Sequence, residues 1–92
     1  MTINLDKIIH EPARLFIVSR LIRVNRINAI ELKALTGLTW GNLSIQLKRL
    51  EQSNYINIVK QYKGRKPETI IKISPKGRKA YSDYKKAIKH IL

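Results

Sequence analysis

Residues 39–53, TWGNLSIQLKRLEQS, gather the side chains with the clearest chemical use. Asn42 and Gln46 carry amides of the kind that bond the edge of adenine, and Ile45 can touch a thymine methyl group. Lys48 and Arg49 follow in the same stretch and suit phosphate oxygens. Gly41 and Ser44 keep that side short and polar. The chemistry implied is contact with the groove and backbone of a nucleic-acid duplex. The plainer alternative is a solvated surface. Such a surface would more often carry mixed Glu and Lys, and Ile45 would stand exposed in its middle.

For these groups to share a surface, the stretch must be a helix. Leu43, Leu47 and Leu50 fall at i, i+4 and i+7, one apolar stripe facing a core. Gly41, Asn42, Ile45, Lys48, Arg49 and Gln52 then take the opposite side. Thr39 suits the N-cap, where its hydroxyl accepts from a free amide of the first turn. Trp40 lies nearer the leucine stripe, which favours a partly buried packing residue; the alternative is contact with sugar and phosphate.

A second cationic cluster follows. Residues 55–60 (YINIVK) and 69–73 (TIIKI) are strand-like in their β-branched and aromatic content. Between them, QYKGRKPE holds Lys63, Gly64, Arg65, Lys66 and Pro67. Gly and Pro favour a turn, and the cations cannot be buried unpaired. The pattern predicts a β-hairpin wing over residues 60–69. Its basic tip fits phosphate or the minor groove better than a role in merely keeping the tip wet.

The totals agree with a polyanionic partner. The 92 residues carry 19 Lys+Arg against 6 Asp+Glu, a formal net charge of +13. Each cation near a phosphate releases condensed counterions. The charge is uneven: residues 1–47 hold six basic and three acidic side chains, net +3, and residues 48–92 hold thirteen and three, net +10. The basic half begins inside the predicted reading helix. There is no cysteine, which excludes disulfides and thiolate-bound zinc. No apolar run approaches the ~20 residues of a membrane span. The start of the chain has no signal-peptide hydrophobic region, so cytoplasm and the nucleoid are the expected location.

The remaining segments read as support. Residues 2–9 predict a short helix with Leu5, Ile8 and Ile9 on one side, needing its own domain or a second copy to pack on. Residues 10–24 predict the first full helix, with Pro12 in its first turn. Leu15, Val18, Leu21 and Ile22 face inward, Phe16 and Ile17 widen the arc, and Arg14, Arg20 and Arg23 point elsewhere. Residues 24–27 read as a connection that can hold one or two residues of strand. Residues 28–36 predict a second helix, opened by the capping-box-like pair Asn28 and Glu31. Its inward face is Leu32 and Leu35 with Ile30 in support, and Gly37 ends it. Two helices joined by a short turn containing Gly make a helix-turn-helix. Ser74 and Pro75 start a last helix, where Gly77, Ala80, Tyr81, Tyr84, Ala87, Ile88 and Ile91 run at spacings of three and four. That seam can pack on a domain or on a partner helix, with lysines and arginines along its flanks. The expected fold class is α+β, mostly α: a three-helix core, a two-stranded wing, a C-terminal helix and a short N-terminal helix, in one domain over residues 1–92.

This order resembles small archaeal and bacterial winged helix-turn-helix transcriptional regulators, the broad MarR/ArsR-like group. The matching residues are HEPARLFIVSRL, IELKALTGLTWGNLSIQLKRLEQSNYI and YKGRKPETIIKISPKGRKAY, which cover about residues 5–90. The resemblance implies a homodimer on duplex DNA, with the third helix in a major groove and the wing on backbone or minor groove. It also implies dimer contacts from residues 2–9 and 75–92, which here offer Leu5, Ile8, Ile9, Tyr81, Tyr84, Ile88 and Ile91. One departure is Ile45, which sits where a polar or basic base reader is common. Metal-sensing members use cysteine or histidine clusters, and this chain has only the separate His10 and His90.

The expected DNA-contacting set is therefore Thr39, Trp40, Gly41, Asn42, Ser44, Ile45, Gln46, Lys48, Arg49, Lys63, Arg65 and Lys66. No enzyme activity, metal or cofactor is expected, since the carboxylates are isolated and no nucleophile or phosphate-cradling motif is present. The expected function is sequence-specific binding of double-stranded DNA as a transcriptional regulator. The competing readings are a chromatin-like architectural protein without sequence choice, and a winged-helix module that docks an acidic protein.

Overall fold

The computed structural model describes residues 3–92. The chain runs α1 (Pro12–Val24), β1 (Arg26–Asn28), α2 (Ala29–Thr36), α3 (Trp40–Gln52), β2 (Ile56–Lys63), β3 (Lys66–Ile73) and α4 (Pro75–Ile91). This is the winged helix architecture that the pattern predicted, with a third strand in the sheet, no N-terminal helix among the described residues, and shifts at the edges of elements.

Helix starts are set by side chains that satisfy first-turn amides. The Asn28 side chain accepts from the Glu31 amide at 2.8 Å, Thr39 Oγ1 from the Asn42 amide at 3.1 Å, and Ser74 Oγ from the Gly77 amide at 2.9 Å. Helix α1 begins two residues later than its apolar pattern suggested. Pro12 disfavours helical backbone in the residue before it, so Glu11 is extended at φ −153° and caps with its carboxylate instead. Helix α2 ends on Gly37 at φ 70°. Helix α3 ends on Asn54 at φ 62°, with the Tyr55 amide donating to the Leu50 carbonyl and the Asn54 amide to that of Glu51. That pair of bonds closes the helix as a glycine normally would.

The core is one cluster: Ile17, Val18 and Leu21 of α1, Ile27 of β1, Leu32 of α2, Leu43, Leu47 and Leu50 of α3, Ile56 of β2 and Ile71 of β3. The leucine stripe of α3 is buried as its spacing required. Helix α2 is less sunk than expected. Of its apolar residues only Leu32 is buried, while Ile30 and Leu35 are exposed, and Ala29 and Leu38 pack against the core from either end.

The sheet has three strands in the order β1-β3-β2. Strand β1 is longer than the one or two residues expected, because β3 supplies the partner: Ile27 lies opposite Ile71. The predicted eight-residue loop is almost all strand. Pairing continues through Gln61 with Glu68 and Tyr62 with Pro67 to Lys63 with Lys66, leaving only Gly64 and Arg65 as the turn. Gly64 takes the positive φ, 64°, that a tight hairpin turn demands. Pro67 is tolerated because β1 pairs only with residues 70–72 of β3, so the outer edge near Pro67 bonds no strand.

Residues 3–9 are not the expected short helix, whose Thr2 lies outside the described residues. Asp6 takes the local amides instead. Its Oδ1 accepts from Ile8 and Ile9 at 2.8 and 3.2 Å, and its backbone carbonyl accepts from the His10 amide. A short segment has too few hydrogen bonds to offset helix nucleation, and a carboxylate competes well for its amides. The turn is pinned at three places. Ile9 is fully buried, Tyr55 donates its hydroxyl to Asp6 Oδ2, and His10 Nδ1 lies 2.8 Å from the Tyr84 hydroxyl.

Burial first, then the Asp6 hydrogen bond and charge, push the Tyr55 phenol up from 10.0 to about 12. The protonated form is the one the fold holds. Its stabilisation is complete below pH 10.0 and is lost as pH rises towards about 12, because the unfolded chain ionises first. Thermal melts between pH 8 and 12 should therefore show a shallower alkaline decline for Tyr55→Phe than for the parent protein. Parallel declines would contradict the Asp6–Tyr55 contact.

Candidate nucleic-acid interface

With Leu43, Leu47 and Leu50 sealed against the core, the outer face of α3 is open. Gly41, Asn42, Ser44, Ile45, Lys48 and Arg49 are all exposed, and Ile45 is 62% so. Asn42, Ile45 and Arg49 follow one ridge, and Gly41, Ser44 and Lys48 its neighbour. Asn42 sits in the first turn, held by the Thr39 cap at the start of the helix. Gln46 differs from the rest. It is half-buried, its Oε1 accepts from Arg14 Nη1 at 2.7 Å, and its Nε2 donates to Asn42 Oδ1 at 3.1 Å.

Trp40 is not the packing residue that its place near the stripe suggested. It is 51% exposed, and Leu38 packs against the core in its stead. As the first residue of α3, Trp40 precedes the stripe and swings over α2, where Lys33 Nζ lies 5.5 Å from its ring centroid. Trp40 also lines a cleft with Ile30 and Ala34 of α2 and with Lys63, Lys66 and Pro67 of the wing. The wing tip and the start of the reading helix therefore share one side of the molecule. Glu31 and Glu68 are the carboxylates in that cleft.

Lys63, Arg65 and Lys66 are exposed at the hairpin tip, Lys63 directly opposite Lys66. Among the described residues the ion pairs are Glu11 with Arg14 and Lys79 with Asp83. The cations of α3 and the wing thus have no carboxylate within ion-pair distance and keep their charge for a polyanion.

The residues expected at a dimer contact divide. Ile9 and Tyr84 are buried within the protomer, which removes Ile9 from any outer surface and leaves Tyr84 only an edge. Leu5, Ile8, Tyr81 and Ile88 are half-buried, and Ile91 is exposed. Between α1 and α4 runs an apolar groove lined by Leu15, Tyr81, Tyr84, Ile88 and Leu92. The beginning of α4 is thus docked at home, through Gly77, while its far end stays open.

Sequence reading missed four residues that make contacts between elements, two of them, Arg14 and Lys33, at the reading helix. Arg14, expected to point away, has a side chain only 12% exposed and reaches α3. Lys33, Asp6 and His10 likewise act across elements. No periodicity signals such contacts, because their partners are 7 to 74 residues away in the chain.

The profile of the family described as winged helix DNA-binding domain matches residues 13–92. The chain belongs to that family. A protein of Methanocaldococcus jannaschii described as uncharacterized is 35% identical over 78 residues, covering 85% of each chain. Among solved structures, a transcriptional regulator homologue protein from Pyrococcus horikoshii OT3 has a TM-score of 0.86 at 24% identity, covering 91% of this chain and 83% of that one. The disulfide-formed structure of AbfR has a TM-score of 0.73 at 23% identity, covering 85% of this chain and 57% of its own. At such identities both structures are likenesses of fold. Among the described residues of this winged helix domain, no helix is long and apolar enough to cross a membrane.

Proposed function

We propose that this winged helix domain binds double-stranded DNA sequence-specifically as a homodimeric transcriptional regulator, with α3 in the major groove and the wing on backbone or minor groove. One observation carries the reading: the back of α3 is sealed by leucines while its short polar front lies open beside an unpaired basic hairpin. The matched family and the likeness of fold to a transcriptional regulator homologue support it. Asn42 and Ile45 meet base edges, and Lys48, Arg49, Lys63, Arg65 and Lys66 hold phosphates. The open end of the α1–α4 groove, with Tyr81, Ile88 and Ile91, supplies the dimer contact. Two symmetric copies then place their reading helices roughly 34–36 Å apart, one turn of the duplex.

The net charge of +13 also fits a protein that coats DNA without sequence choice. Selection from a random duplex library, followed by competition between the selected site and bulk DNA, separates the two. A regulator shows a ratio of about 10³ or more, and a coating protein one near unity. Within the selected site, Asn42→Ala should relax the preference at one base pair per half-site while leaving affinity for random DNA nearly unchanged. Equal losses on selected and random DNA would remove Asn42 from base reading.

A further inference from the structure

The feature this function leaves unused is a directed chain of hydrogen bonds that ends on Asn42. It begins at Arg14, whose Nε donates to the Ile8 carbonyl at 2.6 Å and whose Nη1 lies 3.8 Å from Glu11 Oε2. The guanidinium is held from both sides and is nearly out of solvent. Its Nη1 also donates to Gln46 Oε1 at 2.7 Å, and Gln46 Nε2 donates to Asn42 Oδ1 at 3.1 Å.

The direction of this chain follows from chemistry alone. A guanidinium has only donors. The Gln46 amide must therefore turn its oxygen to Arg14 and its nitrogen towards Asn42. Asn42 must answer with its oxygen, which leaves its Nδ2 hydrogens facing outward. Gln46 itself has its oxygen committed to the half-buried Arg14 and one hydrogen to Asn42 at the surface.

We infer that Arg14 and Gln46 are positioning residues that lock the amide polarity of Asn42, so that Asn42 meets the base as a hydrogen-bond donor and Gln46 reads no base itself. The inference rests on the groove-binding reading proposed above. It departs from the sequence expectation, in which Gln46 was a contact residue in its own right. The base edge that fits is rich in acceptors: N7 and O6 of guanine, N7 of adenine, or O4 of thymine.

The decisive variant is Gln46→Glu. A carboxylate keeps the bond from Arg14 but cannot donate to Asn42. The Asn42 amide then turns over, gives its Nδ2 to the carboxylate and presents Oδ1 outward. Library selection on the full chain should show the preference at the Asn42-dependent base pair moving from acceptor edges to donor edges, adenine N6 or cytosine N4. The change expected is on the order of tenfold in relative preference. The added negative charge lowers affinity for every sequence alike, so the ratio between bases is what is read. Gln46→Ala should relax that same base pair and no other.

If Gln46→Ala instead erases preference at a separate base pair and leaves the Asn42-dependent one intact, Gln46 is a reader and the inference fails. An unchanged preference in Gln46→Glu also overturns it. If Asn42→Ala affects no base pair at all, the groove reading fails first. The relay is then decided in the free protein by side-chain amide resonances. Gln46→Ala must shift those of Asn42, and unmoved resonances overturn the relay.

Discussion

Gly77→Ala lowers the melting temperature of the protein by about 12–24 °C. A Cβ built at Gly77 falls 2.2 Å from the Tyr55 carbonyl oxygen and 3.0 Å from its carbonyl carbon. Real carbon atoms do not approach a carbonyl so closely, and the obstacle is backbone with no rotamer to adopt. That backbone is also held in place. The Tyr55 carbonyl accepts from the Ser74 amide at 3.0 Å, and Ser74 Oγ donates to the Asn54 carbonyl at 2.6 Å. Helix α4 must therefore lift away from the α3–β2 junction, breaking the Ser74 contacts and loosening the Tyr84–His10 bond further along. Overpacking a tight site costs about 3 kcal/mol at the upper end of its usual range, and each kcal/mol is worth ~4–8 °C in a domain of this size. Thermal denaturation followed by circular dichroism measures it. Gly41→Ala is the control, since a Cβ there meets nothing within 4 Å and alanine favours a helix interior. A Gly77→Ala protein that melts with the parent would mean that α4 does not sit against Tyr55.

The second large effect is on DNA. Replacing Arg65 and Lys66 together by alanine should weaken binding to selected and random duplexes alike. It should also lower the slope of log Kd against log salt by about 1.8, from ~0.9 per phosphate contact removed. Both residues are exposed at the two-residue turn and its flank, and neither is within ion-pair distance of a carboxylate. Nothing in the fold depends on them, so the loss is a binding effect and the melting temperature stays put. Titrations by fluorescence anisotropy between 50 and 300 mM salt, roughly the range in which such slopes are linear, report it. An unaltered slope would take the wing off the phosphates and leave α3 as the sole contact.

The contrast between these two sites shows what kind of information each needed. Arg65 and Lys66 are legible as a wet, basic turn from composition and neighbours alone. Gly77 looks like any small residue in a helical seam. Only the approach of the Tyr55 carbonyl, 22 residues earlier in the chain, explains why nothing larger fits. Trp40 shows the converse failure. Its place beside Leu43 in the pattern predicts packing, yet the first residue of a helix is not bound by the stripe that follows, and Leu38 takes the core position.

By itself, the sequence determined the four main helices, the caps of three of them at Asn28, Thr39 and Ser74, that α3 has a leucine back and a polar front, and that a basic hairpin follows. These are local matters: spacing fixes a face, and a capping side chain acts within three residues of itself. Tertiary structure alone decided the third strand, the docking of the N-terminal turn on Tyr55 and Tyr84, the burial of Ile9 and Tyr84, and the Arg14–Gln46–Asn42 relay. Each of these depends on groups brought together from distant parts of the chain. A pattern with a period of two or 3.6 residues holds no record of what stands across the gap.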